Sequence, residues 1–167
     1  MSVNITGLEE VMQGLDKRIG IDKVAKNMAQ ACAIVERAAK ENAPKGDGAL
    51  RRSISSKVEV EGESVKGTVF TPLDYAPYVE YGTGLYREEN PVAGYWVYVK
   101  GSEGSGNYSG KRYTLEEAKW IVARMQEEGL DAVYTQGRHP HPYMRPALYE
   151  NRLKVVMKLH EGLLEDG

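Results

Sequence analysis

Apolar residues recur at steps of three and four at both ends of the chain and at steps of two in between. Leu8, Val11, Met12, Leu15 and Ile19 share one helical face, which predicts a short amphipathic helix over 7–19. Val24, Met28, Ala31, Val35, Ala38 and Ala39 form a second stripe, predicting a longer helix over about 22–42. Asp22 is placed to cap it. The helix should stop at Ala43-Pro44, because a residue before proline is pushed out of the α region. Lys45-Gly46-Asp47-Gly48 then redirects the chain. Ile54, Ser56, Val58 and Val60 alternate with polar neighbours, as do Val65, Gly67 and Val69. These are two strands, with Glu61-Gly62-Glu63-Ser64 as the hairpin turn between them.

Beyond a compact segment at 75–84 the character changes. Tyr95–Val99 reads as a strand, and Gly101 to Gly110 as a glycine–serine loop. A helix over about 115–128 carries a capping box, Thr114 with Glu117, and an apolar face of Leu115, Ala118, Ile121, Val122 and Met125. Gly129 closes it and Ala132-Val133-Tyr134 is a last short strand, so a βαβ-like decoration is expected over about 85–137. The proline-stiffened run Arg138–Tyr143 leads into a closing helix at about 146–164, with Leu148, Val155, Val156, Leu159 and Leu163 on one face. The fold class is α+β: long N-terminal and C-terminal helices on a small, mostly antiparallel sheet. At 167 residues, one domain with an inserted subregion is expected.

Composition narrows the function classes. No run approaches the roughly 20 apolar residues of a membrane span, and MSVNITGLEEVM has neither the basic nor the apolar region of a signal peptide. The single Cys32 cannot form an internal disulfide, which fits synthesis in a reducing cytoplasm. A net charge of −2 argues against a protein that grips bulk or specific nucleic acid. Eleven tyrosines against two tryptophans and one phenylalanine favour surfaces half-buried on a partner, where an apolar ring with a polar tip is useful.

Candidate chemistry is thin. His139 and His141, with Glu80 or Asp74 as a third ligand, would make a zinc-dependent hydrolase, but the intervening prolines explain that segment without a metal. Cys32 sits beside an apolar stripe, where a thiol behaves as a small hydrophobe. Ser53, Ser55 and Ser56 lie in polar, strand-like sequence with no histidine partner, and no phosphate-cradling glycine motif is present. No catalytic residue, metal ligand or cofactor site is assigned. Arg51, Arg52 and Lys57 could contact nucleic acid, or could be a charged strand edge that resists aggregation.

Three passages acquire meaning together. Ala43-Pro44 followed by Gly48-Ala49-Leu50-Arg51-Arg52-Ser53-Ile54 is similar to the "APxxTGxLRRSI" passage of a bacteriophage head–tail joining family, also called the tail completion or neck protein family. Tyr75-Ala76-Pro77-Tyr78-Val79-Glu80-Tyr81-Gly82-Thr83 resembles that family's "YAxxVExGT" signature. Pro142-Tyr143-Met144-Arg145-Pro146-Ala147-Leu148 resembles its "PxPFxRPAL" motif. The chain departs from the pattern where Gly46-Asp47-Gly48-Ala49 replaces Thr-Gly, and in the length of 85–137. The resemblance implies a non-enzymatic virion protein made in the host cytoplasm. Its implied partners are head-connector or neck proteins and tail-tube or tail-terminator proteins, with ring assembly in the virion. The motif residues it marks are Leu50, Arg51, Arg52, Tyr75, Tyr78, Glu80, Tyr81, Gly82, Thr83, Tyr143, Arg145 and Pro146, with Glu80 and Arg145 as an expected pair.

Overall fold

A computed structural model of the chain describes residues 1–5, 20–62, 64–101 and 111–164, with side chains described except at 2–5 and 162–164. The helix expected at 7–19 and most of the glycine–serine loop lie outside these residues, as does the side chain of Leu163. The chain divides into two compact units, Met1–Ala76 with Pro142–Gly167, and Pro77–His141.

The first unit holds a three-stranded antiparallel sheet of order β1-β3-β2, from β1 (Ser2–Ile5), β2 (Ser55–Glu61) and β3 (Ser64–Phe70). The β2–β3 hairpin closes where expected, with Glu61 opposite Ser64. Helix α1 (Ile21–Asn42) covers one sheet face and buries Met28, Ala31, Cys32, Val35 and Ala39. It starts earlier than expected: extended Gly20 is the N-cap residue and no side chain caps the helix. Asp22 therefore falls inside the first turn, where its charge meets the positive end of the helix dipole. Ala43 ends the helix in extended geometry, as its proline demands.

A five-residue helix, α2 (Ala49–Ser53), stands where strand-like sequence was expected to begin. The Asp47 carboxylate accepts the Ala49 N–H at 2.9 Å, Gly48 turns the chain at φ +78°, and Leu50 is the buried anchor. Arg51 and Arg52 are thus helical, which removes the strand-edge reading, and Ser53 belongs to the helix rather than to the strand.

Helix α5 (Met144–Leu164) packs along α1 and starts two residues early, leaving Pro146 in the first turn, where no intrahelical N–H bond is lost. Met144, Ala147, Val155 and Leu159 are buried. Val156 was expected on that face but is 48% exposed. Adjacent residues diverge by about 100° around a helix axis, so Val155 and Val156 cannot both face α1.

The second unit contains α3 (its residues Pro77–Tyr81 of the helix Ala76–Tyr81), β4 (Trp96–Val99), α4 (Leu115–Glu127) and β5 (Ala132–Thr135). Strands β4 and β5 pair antiparallel, Trp96 opposite Thr135 through Val99 opposite Ala132. The strand–helix–strand order is as expected, but it is not a parallel βαβ unit. Both halves of the Thr114–Glu117 capping box form, with Glu117 N–H donating to Thr114 Oγ1 at 3.3 Å and Thr114 N–H to the Glu117 carboxylate at 2.8 Å. The far end closes through Gly129 N–H to Gln126 O and Leu130 N–H to Met125 O, both 3.0 Å.

Candidate functional site

In the first unit, the first motif and the start of the second meet around Asp47. Arg52 donates to the Asp47 carbonyl at 3.2 Å. Burial and the Asp47 carboxylate push the neighbouring Tyr75 hydroxyl upward in pKa, and the Arg52 guanidinium opposes them. Arg52 is exposed and Tyr75 is 42% exposed, so both offer contact area. Arg51 is half-buried: Nη2 reaches the Ala43 carbonyl at 3.5 Å, and its Nε is buried with no hydrogen-bond partner. Arg51 also edges an open concavity of about 370 Å³ on α1, lined by Ala33, Glu36, Arg37, Lys40 and Glu41. Three cations and two carboxylates line it, so it selects neither sign of charge strongly. Beside it Glu36 binds Lys40 and Ser56, each at 2.6 Å. Burial alone would raise the Glu36 pKa, but those two donors outweigh it and hold the carboxyl below its ordinary 4.5.

The residues proposed for nucleic acid are engaged within the chain. Lys57 lies on β2 with its ammonium 2.8 Å from Glu59, while Arg51 and Arg52 donate to backbone carbonyls. Cys32 is fully buried, and desolvation together with the Glu36 charge pushes its thiol up to about 11. It stays protonated at neutral pH and is no nucleophile.

In the second unit, the end of the second motif is a fastening. Thr83 N–H donates to Arg138 O at 2.9 Å, Arg138 N–H returns to Thr83 Oγ1 at 2.9 Å, and Leu85 N–H donates to Gln136 O at 2.8 Å. The two backbones come so close that a Cβ on Gly84 would stand 2.1 Å from Gln136 O, and one on Gly137 would stand 2.1 Å from Thr83 O. Both glycines have positive φ, +58° and +124°, so both space and conformation require them. His141 N–H to Val79 O at 2.7 Å and a Tyr86–His139 stack at 3.8 Å extend the seam. Sequence reasoning singled out Gly82 and Thr83 but missed Gln136, Gly137 and Arg138, their partners more than 50 residues away.

His139 is therefore occupied in packing against Tyr86. Among the described residues no three histidine, cysteine or acidic side chains are grouped to hold a metal. No described helix is long and apolar enough to cross a membrane.

The motif residues sort into two kinds. Leu50, Glu80, Gly82 and Tyr143 are buried, while Arg51, Tyr81, Thr83 and Pro146 are half-buried. Arg52, Tyr75, Tyr78 and Arg145 are exposed, with Tyr78 at 60%. The exposed set offers the most side-chain area to a partner.

No curated protein and no solved structure matches the chain. Residues 8–82 match the family model described as "Bacteriophage HK97-gp10, putative tail-component", a range that contains the first motif whole and the second through Gly82. The third motif and the unit carrying α4 lie beyond the matched range. The resemblance read from the motifs thus agrees with the family model: over residues 8–82 this chain matches a family of phage tail components.

Proposed function

We propose that this protein is a neck or tail-completion component of a tailed bacteriophage, bridging the head connector and the tail tube during assembly. The observation that carries this reading is the family match over residues 8–82, which contains most of the first unit's sheet and all of α1 and α2. The protein works through surfaces and performs no chemistry. Arg52, Tyr75, Tyr78 and Arg145 provide contacts, and the buried motif residues hold them in place. Its partners are connector or neck proteins on one side and tail-tube or terminator proteins on the other, met as a ring of identical subunits. Small subunits build such rings through head-to-tail contacts between two different surfaces.

The test is where the protein resides in the particle. Immunogold labelling of an epitope-tagged copy in purified virions should place gold at the neck. Gold at the distal tail tip, or no label on intact particles, overturns the reading.

A further inference from the structure

Strand β2 is an outer strand of its sheet, and no described strand pairs with its far edge. An open edge offers a row of backbone N–H and C=O groups to any strand that can reach it, so edges are ordinarily blunted by proline, a bulge or a lysine. The seven residues of β2 contain no proline, and their register against β3 runs unbroken from Ser55 opposite Phe70 to Glu61 opposite Ser64. Its one lysine, Lys57, is neutralised by Glu59 at 2.8 Å. Ser56 bonds Glu36 of α1, so by alternation Ser56, Val58 and Val60 lie on the helix side, where Val60 remains 48% exposed. Ser55, Lys57, Glu59 and Glu61 lie on the other side. All these residues belong to the first unit.

The strand is complementary to itself when a second β2 lies antiparallel beside it, about a two-fold axis through Val58 perpendicular to the sheet. That register pairs all seven residues: Val58 meets Val58, Ser56 meets Val60, Lys57 meets Glu59 and Ser55 meets Glu61. Lys57 and Glu59 of the two copies then form a square in which every adjacent charge is opposite. An axis through Lys57 or Glu59 sets like charges face to face, one through Val60 sets Glu59 against Glu61, and one through Ser56 pairs no charges. Length and charge therefore choose the same register. The helix layer agrees. Helix α1 packs across β2 and β3, so this axis holds the two α1 helices two strand spacings apart, roughly 10 Å, a distance at which helices pack. The concavity on α1 adjoins the edge through Glu36, and its lining of Arg37, Lys40, Arg51, Glu36 and Glu41 is mixed in sign. A surface of mixed sign can meet its own copy without the repulsion that a surface of one sign suffers.

We infer that two copies of the free protein pair β2 to β2 about this axis, joining their three-stranded sheets into one sheet of order β1-β3-β2-β2-β3-β1. A two-fold contact closes on itself and does not propagate into a ring. The dimer therefore belongs to the protein before it reaches the virion, and goes beyond the neck reading without resting on it.

The experiment is sedimentation equilibrium of the full-length protein from micromolar to millimolar concentration, with Lys57→Glu and Glu59→Lys variants. The two side chains are 50% and 43% exposed, and an exposed pair adds little to stability, so circular dichroism and Tm should match wild type and exclude misfolding. Wild type should form dimers and nothing larger. Each variant alone sets like charges opposite one another twice and should dimerise at least about tenfold more weakly. An equimolar mixture of the two should form a heterodimer at least as tight as wild type. Two acids then face two bases across the seam, while the pair within each strand stays broken. A wild type monomeric throughout overturns the inference, as do assemblies beyond the dimer, a single variant that dimerises normally, or a mixture that stays monomeric. Each of these results leaves the neck reading to its own test by gold labelling.

Discussion

Gly84→Ala tests the fastening between Thr83–Leu85 and Gln136–Arg138 most sharply. The native φ of +58° lies in the left-handed region, which costs a residue with a Cβ roughly 1–2 kcal/mol. The new methyl would stand 2.1 Å from Gln136 O, a backbone atom fixed by the 2.8 Å bond from Leu85 N–H. Relief requires the two segments to part, losing that bond and straining the paired Thr83–Arg138 bonds, each worth about 1 kcal/mol net. Strain and lost bonds together come to about 3–5 kcal/mol, well above the typical effect of a single substitution. Thr83→Val is the graded control: it removes only the Oγ1 that accepts the Arg138 N–H at 2.9 Å, for about 1–2 kcal/mol. Hydrogen–deuterium exchange read by mass spectrometry should show peptides covering 83–86 and 135–139 losing protection together in Gly84→Ala, and partly in Thr83→Val. Unchanged protection in Gly84→Ala would refute the reasoning, and so would loss confined to one of the two segments.

Other consequences follow from the first unit. Gly67 faces α1 from the central strand, and a Cβ there would meet Cys32 Sγ at 2.5 Å and Met28 Sδ at 2.7 Å. Gly67→Ala should cost about 1–3 kcal/mol in urea unfolding by overpacking. Cys32→Ala should partly offset that loss in the double variant, whereas strict additivity would contradict the packing argument. The Cys32 thiol, buried and pushed up to about 11, should resist Ellman's reagent at pH 8 in the native protein and react fully in guanidinium. Rapid native labelling would contradict its burial. The Glu36 carboxyl is held below its ordinary 4.5 when folded, so its contribution is full above that value and fades as pH falls through the lowered folded pKa. Glu36→Gln should therefore flatten the acid limb of the stability–pH curve, and an unchanged limb would contradict the assignment.

What the sequence disclosed depended on how local each cause was. The stop at Ala43-Pro44, the Thr114–Glu117 box and the Gly129 ending arise from neighbouring residues, and all three are present. The start of α1 was displaced because Asp22 is a suitable cap residue that the helix simply includes. Strand β1 has four residues and owes its existence to β3, with Val3 opposite Val69, so no local period announced it. Helix α2 is too short for a helical period, and the Asp47–Ala49 bond and the burial of Leu50 decide it. The candidate site was legible as residues but not as geometry. Thr83 was marked, yet its partner Arg138 stands 55 positions away. On α5, Val156 reads with Val155 as one buried face, yet it lies with exposed Tyr149, Leu153 and Met157.

The proposed role in joining heads to tails is tested most directly by electron microscopy of lysates from a phage deleted for the gene. The account predicts separate DNA-filled heads and complete tails, converted to joined particles when the purified protein is added back. Normally joined, infectious particles in the deletion would contradict it.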